Sequence, residues 1–83
     1  MLATILHLLN GEKKRAGNHS VVYLGDETHY FFHNSLVCIV HHSKKEFELH
    51  NCGFPKSSST TRALNNYHKW FTEMGYHMTY RGE

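Results

Sequence analysis

The chain has 83 residues, a formal net charge of +2 with its histidines neutral, nine histidines and two cysteines. A chain of this length holds one domain with a small core, and so low a charge does not form the dense cationic surface of a dedicated nucleic-acid-binding protein. Two cysteines do not make a disulfide framework, and the opening residues have no secretory signal pattern, so the sequence predicts a cytoplasmic protein.

The N-terminal segment, residues 1–10, is mostly apolar. It is far shorter than the roughly 20 apolar residues that cross a bilayer, so we expect it to pack on the rest of the chain and predict no membrane contact. Leu2, Ile5, Leu6 and Leu9 have helical spacing, although so short a run fits a strand nearly as well. Residues 11–18 are a polar connector.

Residues 19–50 contain four short segments rich in aromatic and β-branched residues: HSVVYL, THYFFH, LVCIVHH and EFELHN. Short, turn-like separators between them predict an antiparallel meander. We place the turns at Asp26-Glu27, at Asn34-Ser35 and around Lys44, which pairs the strands so that side chains on one face form a core. That core face is Val21, Tyr23, Tyr30, Phe32, Val37, Ile39, Phe47 and Leu49.

The opposite face of the predicted meander is also apolar. It carries Val22, Leu24, Phe31, Leu36, Cys38 and Val40 among histidines and glutamates. An apolar surface of this size is rarely left in water. We therefore expect the N-terminal segment, a second copy of the chain in a homodimer, or a partner protein to cover it.

A loop over residues 51–58 precedes a predicted helix over residues 59–74. Leu64, Tyr67, Phe71 and Met74 recur at steps of three and four and predict the buried stripe of that helix. Gly75 follows as a helix-terminating glycine, and residues 76–81 alternate as a closing edge strand. The predicted fold is α+β: a four-stranded antiparallel β-meander with one packed α-helix and a C-terminal edge strand.

The loop before the helix is a candidate binding site. Free backbone N–H groups at a helix N-terminus, together with basic and hydroxyl side chains, can bind a phosphate or a partner's carboxylate. The residues concerned are Lys56, Ser57, Ser58, Ser59, Thr60 and Arg62. Helix capping alone also explains serine and threonine here, and we favour that simpler interpretation.

A metal site is a weaker candidate. In the predicted register Cys38 lies opposite His50, with Cys52 as a diagonal neighbour, and cysteine and histidine are zinc ligands. Zinc sites usually show paired Cys-x-x-Cys or His-x-x-x-His steps, which this sequence lacks. We therefore predict no metal and no cofactor. Nor do the histidines gather in one motif with a nucleophile, so we predict no enzymatic activity.

Binding of DNA or RNA is a further alternative. Aromatic side chains on an open sheet face can stack bases, while cations contact the backbone. The cations are spread along the chain: Lys13, Lys14, Arg15, Lys44, Lys45, Lys56, Arg62, Lys69 and Arg81.

The order of several short motifs resembles a family of small proteins of unknown function encoded in tailed-phage genomes. The matching pieces are KKRAGNHS (residues 13–20), HNS (33–35), LHNCGF (49–54), SSST (57–60) and LN (64–65). Phe54 stands where the family usually has tryptophan. The resemblance implies a phage origin and the cytoplasm of a bacterial host, but supplies no activity.

These observations together predict a non-enzymatic phage accessory protein that binds and blocks a host or host-defence protein. A small protein that binds DNA or RNA is the alternative.

Overall fold

The computed structural model describes residues 3–12, 14–50 and 58–82. The fold is α+β, as predicted, with two helices and a six-stranded mixed sheet within these residues. The elements are α1 (Ala3–Leu9), β1 (Arg15–Ala16), β2 (His19–Leu24), β3 (Glu27–Phe32), β4 (Ser35–His41), β5 (Glu46–Leu49), α2 (Ser58–Glu73) and β6 (His77–Arg81). The strands lie side by side in chain order. All neighbours are antiparallel except β5 and β6, which α2 connects in parallel.

The first two turns of the meander, between β2 and β3 and between β3 and β4, each lie one residue earlier than predicted. Leu24 pairs with Glu27, which leaves Gly25-Asp26 as the first turn. Phe32 pairs with Ser35, so His33-Asn34 is the second, with φ of 52° and 64°. Two successive positive φ angles match the twist of the flanking strands, and asparagine adopts this region more readily than most residues.

A β-bulge in β4 corrects the predicted faces. Phe31 pairs with Leu36 but Tyr30 pairs with Cys38, so Val37 is an extra residue in β4. One extra residue moves the following side chains to the opposite face. The assignment of Cys38 and Val40 to the uncovered face is therefore wrong, because both lie buried in the core.

The loop between β4 and β5 compensates for this change. His41 pairs with Glu46, so the loop has four residues (42–45) where the prediction centred a shorter turn on Lys44. Phe47 and Leu49 consequently return to the core face, as predicted, and both are fully buried.

Helix α2 packs on the core face of the sheet. Its buried side chains include Leu64, Tyr67 and Phe71, which confirms most of the predicted stripe. Their rings meet those of the sheet: Tyr67 lies 5.0 Å from Tyr30 and Phe71 lies 5.7 Å from Phe47 between centroids. The prediction for Met74 is wrong. The helix ends at Glu73 and Met74 is 52% exposed.

Helix α1 joins the same core. Ile5 and Leu8 are fully buried in one cluster with side chains of α2 and the sheet, and α1 contacts β1 and β2. Helix α1, the described part of the N-terminal segment, therefore does not cover the second sheet face, and the expectation that the segment covers this face is wrong for these residues. Neither described helix is long and apolar enough to span a membrane.

The buried His19 ring should make stability depend on pH. It stacks on Phe32 at 4.7 Å, and Nδ1 has no hydrogen-bond partner within the described residues. Burial, and secondarily the nearby His33, lower the pKa of His19 below its usual 6.5. The unfolded chain takes up this proton more readily, so the free energy of unfolding should fall as the pH drops below about 6.5.

Urea denaturation at several pH values between about 7.5 and 5.5 would measure this effect, by comparison of the parent with His19→Phe. We expect His19→Phe to flatten the pH dependence and His77→Gln, at an exposed histidine, to leave it unchanged. An identical slope in His19→Phe would contradict the assignment.

Candidate binding face of the sheet

The sheet face opposite α2 has no helix on it within the described residues, and we call it the open face. Strand register places on it side chains from β2 through β6. They are Val22, Leu24, Glu27, His29, Phe31, Leu36, Ile39, His41, Glu46, Glu48, His50, His77 and Tyr80.

A row of alternating imidazoles and carboxylates crosses the open face, formed by His29, Glu27, His41, Glu48 and His50. His29 Nε2 lies 3.0 Å from a Glu27 oxygen, and His41 Nδ1 lies 3.6 Å from the other. His41 Nε2 is 2.6 Å from Glu48, whose second oxygen is 3.2 Å from His50 Nε2. The row therefore links β3, β4 and β5 through side chains as well as through backbone hydrogen bonds.

Glu48 is the electrostatic centre of this imidazole–carboxylate row. The hydrogen bond from His41 lowers the pKa of Glu48, a second bond from His50 acts in the same direction, and partial burial opposes them. A carboxylate held this way stays ionised at neutral pH. The His50 ring also lies 4.9 Å from the Tyr80 ring, which extends the row to β6.

Apolar side chains lie between and beside these polar groups. Ile39 pairs with His29 on one side and with Glu48 on the other, at the centre of the open face. Val22 and Leu24 are 44% and 53% exposed at one border. Aliphatic and aromatic groups interleaved with polar side chains are typical of protein-binding surfaces.

The sequence located most but not all of this surface. Val22, Leu24, Phe31 and Leu36 lie on the open face as predicted, while Val40 is in the core. The assignment of Ile39 to the core face is wrong: it lies at the centre of the open face, because the bulge at Val37 reverses the sides of the residues that follow it. The link from His41 to Glu48 was missed for the same reason.

The residues of the weak metal candidate are not brought together. Cys38 pairs with Leu49, and not with His50 as the predicted register had it. It is fully buried, and burial raises the pKa of its thiol, which makes it unreactive. Cys52 lies outside the described residues. Nowhere in the described ranges do three histidine, cysteine or acidic side chains form a group that could hold a metal ion.

The predicted loop site falls largely outside the described part of the chain. This applies to Lys56, Ser57 and the side chains of Ser58 and Ser59. Thr60 is 5% exposed, whereas Arg62 is exposed. These two side chains therefore do not share one surface.

Helix α2 carries a second polar surface on its outer side. An open cleft of about 390 Å³ is lined by Thr61, Arg62, Asn65, Asn66 and Lys69. The Arg81 guanidinium donates a hydrogen bond to the Asn65 side-chain oxygen at 2.7 Å. Three of the predicted cations thus lie near one cleft, while Lys44 and Lys45 lie in the loop between β4 and β5.

Known proteins provide no guide to either surface. Neither family models, nor curated proteins, nor solved structures give a significant match to this chain. The resemblance to tailed-phage proteins therefore stays a prediction from the sequence.

Proposed function

We propose that this chain is a non-enzymatic protein of phage origin that binds a host or host-defence protein through the open face and blocks it. The observation that carries the proposal is a broad sheet face that no described helix covers, with Ile39 at its centre. A surface of this kind buries apolar groups when a partner docks, while its polar groups select the partner.

The imidazole–carboxylate row supports binding to a specific partner rather than non-specific hydrophobic association. Its side chains are held by one another, so little side-chain entropy is lost when a partner contacts them. Its carboxylates would pair with cationic groups of a partner, and its imidazoles would accept or donate hydrogen bonds.

Nucleic-acid binding is the second candidate, and the cleft on α2 favours it. Arginine and lysine contact phosphates, and asparagine can bind base edges. Binding at this cleft uses the surface opposite the open face, so the two functions predict different sensitive residues.

The test is affinity capture from bacterial lysate with the tagged protein, with and without nuclease, read by mass spectrometry and by nucleic-acid gel. Ile39→Lys alters the centre of the open face, and Lys69→Glu, on exposed helix surface, is the matched control. We expect a stoichiometric protein that survives nuclease, is reduced about tenfold or more by Ile39→Lys, and is retained by Lys69→Glu.

The opposite pattern would overturn the proposal. Capture of nucleic acid alone, lost in Lys69→Glu and falling steeply with salt, would establish the second candidate. A captured protein that is insensitive to Ile39→Lys would exclude the open face as its binding surface.

A further inference from the structure

Beyond Val21, strand β2 forms a free edge of the sheet within the described residues. The short strand β1 pairs only with its beginning, Ala16 with His19 and Arg15 with Ser20. One more backbone bond follows, from Val21 N–H to the Lys14 carbonyl at 2.9 Å. Within the described residues, no strand pairs with this side of β2 beyond Val21.

The backbone of Tyr23 points towards this free edge. In an antiparallel strand, N–H and C=O groups of alternate residues point to the same side. Val21 N–H points to β1, so the N–H and C=O of Tyr23, two residues later, point the same way. Such a pair of groups is a template for an added strand.

The side chains around Tyr23 form a cleft that could bind one side chain of an added strand. An open cleft of about 240 Å³ is lined by Lys14, Val21, Val22 and Tyr23. Val22, Tyr23 and Leu24 are three successive exposed apolar residues, each between 44% and 53% exposed.

This edge lacks the protection that natural sheet edges usually have. Charged side chains, prolines and irregular register discourage the addition of another strand. Strand β6, at the opposite edge, has His77 and Arg81 at its ends and a register shift against β5. The stretch from Val21 to Leu24 has no charge, no proline and regular pairing with β3.

The geometry points to strand addition at β2: an extended segment of a partner protein pairs antiparallel with Val22–Leu24, in line with β1. One apolar side chain of the segment fills the cleft beside Tyr23. Acidic residues at the C-terminal end of the segment lie near Lys14 and Arg15, because an antiparallel segment ends at the Val21 side. This inference rests on the proposed function, since it names how the partner binds.

The first test is selection from a displayed library of random twelve-residue peptides against the full chain. Selected peptides should alternate apolar residues and carry acidic residues towards their C-termini. One selected peptide, made synthetically with a fluorescent label, should bind at least about tenfold more weakly when its acidic residues are replaced by lysine.

Backbone pairing is tested separately. Tyr23→Pro removes the outward N–H, whereas Tyr23→Thr shortens the side chain and keeps the N–H, so it is the matched control. We expect Tyr23→Pro to abolish peptide binding and Tyr23→Thr to weaken it only several-fold. If Tyr23→Pro does not fold, the parent chain is tested with a peptide N-methylated at alternate residues, which should not bind. The Tyr23 amide should also become protected from hydrogen exchange when peptide is added.

Three results would overturn the inference. In the first, none of the selected peptides depends for its binding on the backbone groups of this edge. Another is a dimer in sedimentation that Tyr23→Pro disrupts, because the occupant would then be a second copy of this chain. The third concerns the protein captured from lysate: its loss in Ile39→Lys but full retention in Tyr23→Pro would leave the proposed function standing and exclude strand addition. Its retention in both variants would exclude both.

Discussion

Replacing Val40 with lysine is expected to abolish folding, whereas the same replacement at the neighbouring Ile39 leaves the fold intact. Val40 is fully buried in the core, and an unpaired ammonium there costs about 4 kcal/mol or more, close to the whole stability of so small a domain. Ile39 is only partly buried and pairs with Glu48, so a lysine at this position reaches water beside a carboxylate.

Circular dichroism and urea denaturation of the two variants measure this difference directly. The comparison also tests the bulge at Val37, because an unbulged β4 would reverse the faces of the two residues. A folded Val40→Lys variant together with an unfolded Ile39→Lys variant would show that the register described above is wrong.

Substitutions of Tyr67 give the second large expected effect. Whether the free energy of unfolding falls or rises depends on which residue replaces the tyrosine. The ring is fully buried, so Tyr67→Ala should cost about 3–5 kcal/mol of unfolding free energy through the cavity it leaves. The hydroxyl has no hydrogen-bond partner within the described residues, and burial raises its pKa. Removal of an unpaired buried hydroxyl relieves a desolvation cost, so Tyr67→Phe should be neutral or stabilise by up to about 1 kcal/mol.

The matched control for Tyr67→Phe is Tyr80→Phe, because Tyr80 is 52% exposed. That variant should stay within about 0.5 kcal/mol of the parent in the same urea titration. A clear loss of stability in Tyr67→Phe would mean that the hydroxyl has a partner outside the described residues.

The order of the elements from β2 to β6 could be predicted from the sequence because it depends on local signals, whereas β1 lies within residues 11–18, which were predicted to be a polar connector. Alternation, turn residues and the 3.6-residue period of α2 are all short-range patterns, and they located the strands of the meander and the buried face of the helix. The first two turns were each misplaced by one residue, since His33-Asn34 and Asn34-Ser35 are both plausible turn pairs until the strand register is known. The parallel pairing of β6 with β5 depends on how α2 crosses the sheet, which no local pattern contains.

The imidazole–carboxylate row could not be predicted, because it depends on the register of three strands at once. A single extra residue, Val37, decides whether Ile39 or Val40 lies on the open face. Bulges of this kind have no sequence signal in a run such as LVCIVHH, where every side chain suits either face. The free edge of β2 could not be predicted either. It arises because β1 is only two residues long, and so short a strand within a polar stretch has no sequence signal.

The parallel pairing of β5 with β6 has a consequence for the order of assembly. Glu46 pairs with His77, whereas the hairpins of the meander join residues that are only a few positions apart. Loop closure costs more entropy when the two segments are far apart in the chain. The hairpins can therefore form early, whereas β6 pairs with β5 only after α2 has docked on the sheet. Trp70, the single tryptophan of the chain, lies half-buried on α2. Its fluorescence during refolding would therefore follow the later, slower event, and amide protection in β3 and β4 the earlier one.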